Sequence, residues 1–275
     1  MKMVTDNYSH TLLSTWRRCR YKFKLKYIDG ISGPGGIGMV KGSAGHAAMA
    51  EWHTNWDADK AMAAAWEKYD SELIRNGFVY GEPEEQAWEE LVEALGRYFP
   101  WSETNDQGLV MVKPELEFHI HFGDDVLKGY IDAVVQNRIG HVWLMEHKFL
   151  KRVSTGHLDL DPQVGIYMLA AKLLGYDPQG VMYNIVRVGG GPTAQREPVV
   201  RKLLYRNPEG LTATAMELQA QISDIHSWLD NPDRPIYRTA TKDCTWDCPF
   251  YNVCLAIEDT GDGEPVLAQM AKESD

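Results

Sequence analysis

The chain has 275 residues, a formal net charge of −11, and 44% hydrophobic and 24% charged residues, the balance of an ordinary globular protein. That length suits one α/β core with a helical insertion or a small appended module and is short for two average domains. Neither a basic-then-apolar leader nor a run of about 18 apolar residues is seen in it, so a cytoplasmic protein is expected; the acidic balance argues mildly against a passive nucleic-acid coat.

Residues 8–27 predict a helix, with Ser9 as N-cap and Leu12, Leu13, Trp16, Cys19, Phe23 and Tyr27 at helical spacing. Arg17, Arg18, Arg20, Lys22, Lys24 and Lys26 fall in this stretch and suit either a solvated helix face or a local surface for DNA. Acidic residues gather from Glu82 to Glu93 and from Glu258 onward. Gly30 to Gly38, with Pro34 inside, predicts a loop. Ser43 to Trp56 predicts a helix that contains His46, and residues 58–99 predict two more, broken near Gly77–Pro83, as a helical insertion.

The period then changes to two. Glu115 to Phe122 alternates polar with apolar, Lys128 to Gln136 is a second strand and Val142 to Phe149 a third, joined by turns at Gly123–Asp125 and Asn137–Gly140. The three make an antiparallel meander. Pro162 opens an amphipathic helix to Leu174, and Gly180 to Val188 is a fourth strand. Gly189-Gly190-Gly191-Pro192 marks a hairpin or loop before a fifth strand, Pro198 to Tyr205. A helix from Leu211 to Leu229 leads to the cysteine-rich end, and 261–275 read as a flexible acidic tail.

Asp132 lies in the second strand; Glu146 and Lys148 end the third. Two-residue spacing on a strand sends Glu146 and Lys148 to one face, and the turn at Asn137–Gly140 brings Asp132 close to Glu146 across the strand pair. Two carboxylates at one spot repel unless a cation lies between them, the oxygen-rich site that Mg²⁺ or Mn²⁺ prefers. Phosphodiester hydrolysis uses such ions to activate water and neutralise charge on phosphate, with Lys148 holding the water or stabilising the transition state. Taken alone, this short pattern also fits a surface hairpin whose charges face solvent. The strand pair, the chain order and the flanking elements favour the site.

Cys244, Cys248 and Cys254 lie close together, with Cys19 far away in sequence. Clustered thiols in a cytoplasmic chain point to metal binding or redox chemistry. The three suit a zinc site completed by a His or by Cys19, and unligated thiols are the remaining reading.

With these residues in this order, the chain resembles the PD-(D/E)XK nuclease superfamily, and within it the RecB-like iron–sulfur group that includes AddB-type nuclease domains and CRISPR-associated iron–sulfur exonucleases. The resemblance covers most of the chain. It implies an α/β fold with a restriction-endonuclease-like core, a central mixed sheet flanked by helices. Residues 1–260 would form one domain, with the helical insertion at 58–99 and a cysteine-rich cluster-binding segment at 240–256 that closes onto the N-terminal helix. Gly42-Ser43-Ala44-Gly45-His46 matches the upstream histidine element of the group. His46, Asp132, Glu146 and the backbone carbonyl of His147 are then the implied metal ligands, the side chain of His147 pointing to the opposite face. Gln163-Val164-Gly165-Ile166-Tyr167 matches a Gln and Tyr that share one helical face, where they contact DNA or brace the site. Glu115 resembles an assisting acidic residue of some of these nucleases, or is a solvated strand start. Cys19, Cys244, Cys248 and Cys254 are implied to hold a 4Fe–4S cluster, which would staple the two ends of the domain.

The implied function is a metal-dependent DNA nuclease, an exonuclease on single-stranded DNA or DNA with a free end. Its setting would be DNA repair or recombination in a bacterial cell or a phage-infected host. A helicase or recombination protein acting in trans is the candidate partner, and no membrane is involved. Arg17, Arg18 and Lys22 would line a DNA path, with Trp246 or Tyr251 available to stack on bases. The competing readings are a non-catalytic DNA-binding or adaptor module that keeps the fold and cluster, and a zinc-stabilised interaction protein.

Overall fold

The computed structural model describes residues 7–31, 33, 35–189, 191–231 and 233–272. Pro34 of the predicted loop, Gly190 of the predicted turn and residues 273–275 of the predicted tail lie outside the described residues. In chain order the elements begin with β1 (Asn7–Tyr8), α1 (His10–Arg18), α2 (Arg20–Phe23) and a π-helical turn at Lys24–Ile28. Three long helices follow, α3 (Ile37–Asn55), α4 (Ala58–Arg75) and α5 (Glu82–Asn105), then strands β2 (Val110–Phe122), β3 (Asp125–Gln136) and β4 (Val142–Leu150). Next come α6 (Pro162–Leu173), β5 (Pro178–Arg187), α7 (Pro192–Arg196), β6 (Val199–Leu204) and α8 (Pro208–Leu229). The chain ends in α9 (Cys244–Asp247), α10 (Tyr251–Thr260) and α11 (Glu264–Lys272). Among the described residues no helix is long and apolar enough to cross a membrane.

Where the sequence suggested one domain over 1–260, the backbone divides into two compact units. One comprises the described residues of Gly35–Phe118 and Gly129–Ala215; the other comprises the described residues of 1–34, His119–Lys128 and 216–275.

The first of these units carries a mixed sheet. β3 pairs antiparallel with β4, with Ala133 opposite Met145 and Gln136 opposite Val142. The turn between them is tied by Asn137, whose Oδ1 accepts the amides of Ile139 (3.2 Å) and His141 (2.9 Å). β4 then pairs parallel with β5 through the α6 crossover, and β5 pairs antiparallel with β6. β5 is buried along nearly its whole length, as a strand covered on both faces must be. Helices α3, α4 and α5 flank the sheet: Trp52, Tyr69, Leu91 and Tyr98 share a core with Val186, Val188 and Val199. Residues of the stretch read from sequence as an insertion therefore share a hydrophobic core with β5 and β6.

In the other unit, β1 runs parallel to the start of β3, Asn7 opposite Val126 and Tyr8 opposite Leu127. Ser9 caps α1 as the sequence predicts, accepting the Leu12 amide at 3.2 Å. The predicted helix over 8–27 is interrupted at Cys19, which is extended (φ −159°) and caps the next helix, its Sγ accepting the Lys22 amide at 3.5 Å. The predicted flexible tail contains a helix instead. Val266, Leu267 and Met270 of α11 form an apolar stripe that packs with Leu25, Phe250 and Val253, so burial, not composition, decides that segment.

Candidate active site

Asp132 and Glu146 stand where the β3–β4 register puts them, one step beyond the Ala133–Met145 pair. The ladder stops there because the Asp132 side chain enters it: its Oδ2 accepts the His147 amide at 2.7 Å. The same Oδ2 lies 3.1 Å from Nδ1 of His46 on α3. Glu146 is buried and forms an ion pair with Lys148. Its Oε1 also accepts from Gln163 Nε2 at 3.2 Å, and Gln163 Nε2 donates to Tyr167 Oη at 2.7 Å. Gln163 and Tyr167 sit one turn apart on α6, whose start is fixed by Pro162 and by Asp161 capping the Gln163 amide at 2.9 Å. Five of the predicted residues thus meet around two carboxylates, with Tyr167 reaching them through Gln163.

His46 reaches Asp132 because α3 lies unusually close to β4. A Cβ on Gly45 would fall 2.3 Å from the Phe149 ring, so only glycine permits this approach. The His46 ring in turn meets the Phe149 ring edge-on at 6.0 Å.

The electrostatics are those of a site short of positive charge. Burial opposes ionisation of Asp132, but His46 and His147 outweigh it and hold the carboxyl well below the usual range. Burial, reinforced by the charge of Asp132, pushes Glu146 up to about 7 despite Lys148. Burial opposes the charge on Lys148 as well, yet Glu146 raises it. Oε2 of Glu146 is buried with no hydrogen-bond partner among the described residues, which favours the protonated carboxyl. Burial disfavours charged His46, and Asp132 more than restores it. An orphaned carboxylate oxygen beside a second carboxylate is what a hard divalent cation would satisfy, so Asp132 and Glu146 fit such an ion, with His46 beside them. Among the described residues, no three His, Cys, Asp or Glu side chains lie together at metal-binding spacing.

Glu115 borders the same hollow as His46, Asp132 and His147. Its backbone has φ +42°, a strained conformation for a side-chain-bearing residue. The side chain of His147, expected on the face opposite the carboxylates, has its Nδ1 3.5 Å from Asp132 Oδ2. It is buried beside His53, Tyr98 and Asn184. These residues escaped the sequence reading; the one available signal was that His53 follows His46 by two helical turns on α3.

The four cysteines are free and lie in the other unit, where among the described residues they are not drawn together into a metal-binding cluster. Cys19, Cys244, Cys248 and Cys254 line one cavity of about 640 Å³. Cys19 Sγ accepts the amides of Lys22 and Thr239, each at 3.5 Å, and Cys244 Sγ that of Thr241 at 3.4 Å. Burial pushes the Cys254 thiol up, with Arg238 opposing. The basic stretch nearby is largely committed inside the unit. Arg17 donates to Gln221 at 2.7 Å, Arg18 pairs with Asp247, Lys22 reaches the Asp247 carbonyl at 3.2 Å and Arg20 pairs with Asp224 at 3.3 Å.

A family model for the PD-(D/E)XK nuclease superfamily matches residues 7–255, and the chain belongs to that superfamily. Members characteristically use a divalent metal and act on nucleic acid. The crystal structure of SSO0001 is similar at 12% identity with a TM-score of 0.41, over 92% of this chain and 87% of that one. A search of curated proteins found no match.

Proposed function

We propose that the chain is a metal-dependent DNA nuclease whose site is formed by His46, Asp132, Glu146, Lys148, Gln163 and Tyr167. The observation that carries this is the pair of carboxylates on β3 and β4, Glu146 buried and Asp132 half-buried, with Oε2 of Glu146 unpaired among the described residues and the carboxyl raised by burial and by Asp132. Asp132 and Glu146 would hold Mg²⁺ or Mn²⁺, with His46 and the His147 carbonyl as further ligands. Such an ion, when bound, activates water and offsets charge on the phosphate. Lys148 supplies positive charge to the phosphoryl oxygens, and Gln163 and Tyr167 hold Glu146 in place. Glu115, at its strained φ, adds a further carboxylate to the same hollow.

Within this reading the substrate is single-stranded DNA or DNA with a free end, cut as an exonuclease. The test is digestion of end-labelled single- and double-stranded DNA with Mg²⁺ or Mn²⁺, with Asp132→Ala alongside. We expect cation-dependent cleavage lost in the variant. No cleavage under either ion would favour a DNA-binding or adaptor module instead, and cleavage by the variant would overturn the site.

The four cysteines are proposed to hold a 4Fe–4S cluster. Their common cavity and the amide hydrogen bonds onto two of the sulfurs support a thiolate site. Anaerobic purification followed by iron and sulfide analysis tests this. Iron and sulfide in equal amounts are expected, and zinc alone would overturn the cluster.

A further inference from the structure

His147 forms part of a polar row that crosses the sheet. In register, His147 on β4 is opposite Asn184 on β5, and Asn184 is opposite Arg201 on β6. The side chains follow the backbone: Asn184 Nδ2 lies 3.3 Å from His147 Nε2, and Arg201 Nε donates to Asn184 Oδ1 at 2.7 Å. Arg201 is anchored in turn, its Nη1 lying 2.7 Å from Asp106 Oδ1, while Ser102 donates to Asp106 Oδ2 at 2.7 Å. Its guanidinium also sits 4.8 Å over the Trp101 ring.

This row has only one consistent polarity. Arginine cannot accept a hydrogen bond, so Asn184 must turn its oxygen to Arg201 and its NH₂ to His147. The NH₂ can only donate, so Nε2 of His147 must carry the lone pair. Neutral His147 then bears its proton on Nδ1, and Nδ1 faces Asp132 Oδ2 at 3.5 Å. That separation is longer than a formed hydrogen bond and within reach of one after a small shift. Tyr98 Oη, 3.1 Å from the same Nε2 and 2.8 Å from His53 Nε2, is compatible with this assignment.

We infer that the His147 side chain is a positioning residue for Asp132, held as its Nδ1–H tautomer by Asn184 and Arg201. With its backbone amide already on Oδ2, His147 presents two donors to one carboxylate oxygen. Nδ1–H would become the second of these on a small shift, and with His46 Nδ1 3.1 Å from the same oxygen the donors would gather on Oδ2, away from the oxygen left for a cation. This deepens the metal-site reading proposed above and rests on it. The same logic orients ligands elsewhere: partners outside the coordination sphere fix a carboxylate or imidazole, and their loss weakens metal binding about 10- to 100-fold.

The test combines ¹⁵N-histidine NMR of the full chain without added metal and calorimetric Mn²⁺ titration. Asn184→Asp replaces the NH₂ donor by an acceptor while keeping an oxygen for Arg201, so it favours a proton on Nε2 of His147. His147→Asn keeps an amide donor near the place of Nδ1–H, and His147→Ala removes it. We expect the Nδ1–H tautomer at His147 in the wild-type protein and about tenfold weaker Mn²⁺ binding in Asn184→Asp. His147→Asn should bind Mn²⁺ more tightly than His147→Ala. An Nε2–H tautomer in the wild type would overturn the inference even if every variant misfolded, as would wild-type Mn²⁺ affinity in folded Asn184→Asp. Failure of the wild-type protein itself to bind Mn²⁺ would instead overturn the metal-site reading.

Discussion

The amide of Gln163 donates to the buried carboxylate of Glu146 at 3.2 Å, joining the first turn of α6 to the end of β4. One nitrogen serves two acceptors, Glu146 Oε1 and Tyr167 Oη, so the i, i+4 pair on α6 is a brace for the carboxylate. Gln163→Leu should cost about 1–3 kcal/mol, because it strips a donor from a buried acid and leaves the Tyr167 hydroxyl without it. Tyr167→Phe should cost less, since the Gln163 amide keeps Glu146. Urea denaturation of the two variants checks the order. Equal losses would mean that the tyrosine, not the glutamine, carries the brace.

Glu146 gives the protein an unusual pH dependence when no divalent ion is added. Its folded pKa of about 7 lies above the unfolded value of about 4.3. Between those values the folded state binds more protons than the unfolded one, so stability falls as pH rises through the window. The size is of the order of 3 kcal/mol for a single group. With a chelator present, Glu146→Gln should lose that slope and approach or exceed wild-type stability at pH 8. Adding Mn²⁺ at pH 8 should stabilise the wild type and leave Glu146→Gln little changed. A wild-type slope identical to that of the variant would show that the carboxyl ionises normally.

His53 pulls the other way. Burial, with His147 adding to it, drops its pKa to about 3, far below the unfolded value of about 6.5. Between these values the unfolded chain takes up a proton that folded His53 refuses, so stability falls as pH falls below about 6.5. At pH 5 the loss is about 2 kcal/mol relative to pH 7. His53→Gln should be less stable at pH 7, because the hydrogen bond to Tyr98 at 2.8 Å is disturbed, and should lose less on going to pH 5. A parallel pair of pH–stability curves would mean that His53 is charged in the fold.

The carboxylate pair was legible in the sequence because it depends on local rules. Strand alternation fixes which residues of β4 share a face, and the Asn137–Gly140 turn fixes the β3–β4 register; these two together put Asp132 beside Glu146. The helix bearing Gln163 and Tyr167 was equally legible from Pro162 and its amphipathic spacing. What could not be read were partnerships set by tertiary packing. Nothing near Arg18 or Arg20 announces Asp247 or Asp224 as partners, so a run of basic residues looked like a free surface when its charges are mostly committed. Nothing local to His147 foretells Asn184 and Arg201, which reach it only because β5 and β6 are laid beside β4. Cys19 interrupts its helix for a related reason: its sulfur takes amides from Lys22 and from Thr239, far along the chain.

The placement of His46 rests on an atom that is missing. Gly45 has helical neighbours on both sides and needs no unusual backbone angle; glycine is required there because a Cβ would fall 2.3, 2.4 and 2.8 Å from three atoms of the Phe149 ring. Gly45→Ala should therefore force α3 away from β4, at a cost of about 1–3 kcal/mol for overpacking, against the gain in helix propensity that alanine normally brings. His46, the next residue, would move with the helix and loosen its 3.1 Å contact with Asp132. A merely crowded core and a displaced site are separable through Phe149. Phe149→Leu alone should be mildly destabilising, and Gly45→Ala/Phe149→Leu should be more stable than the sum of the single losses predicts. If the double variant recovers both stability and Mn²⁺ affinity, the Gly45–Phe149 approach is what sets His46 against Asp132. Additive losses would place the origin of the α3–β4 closeness elsewhere in the core.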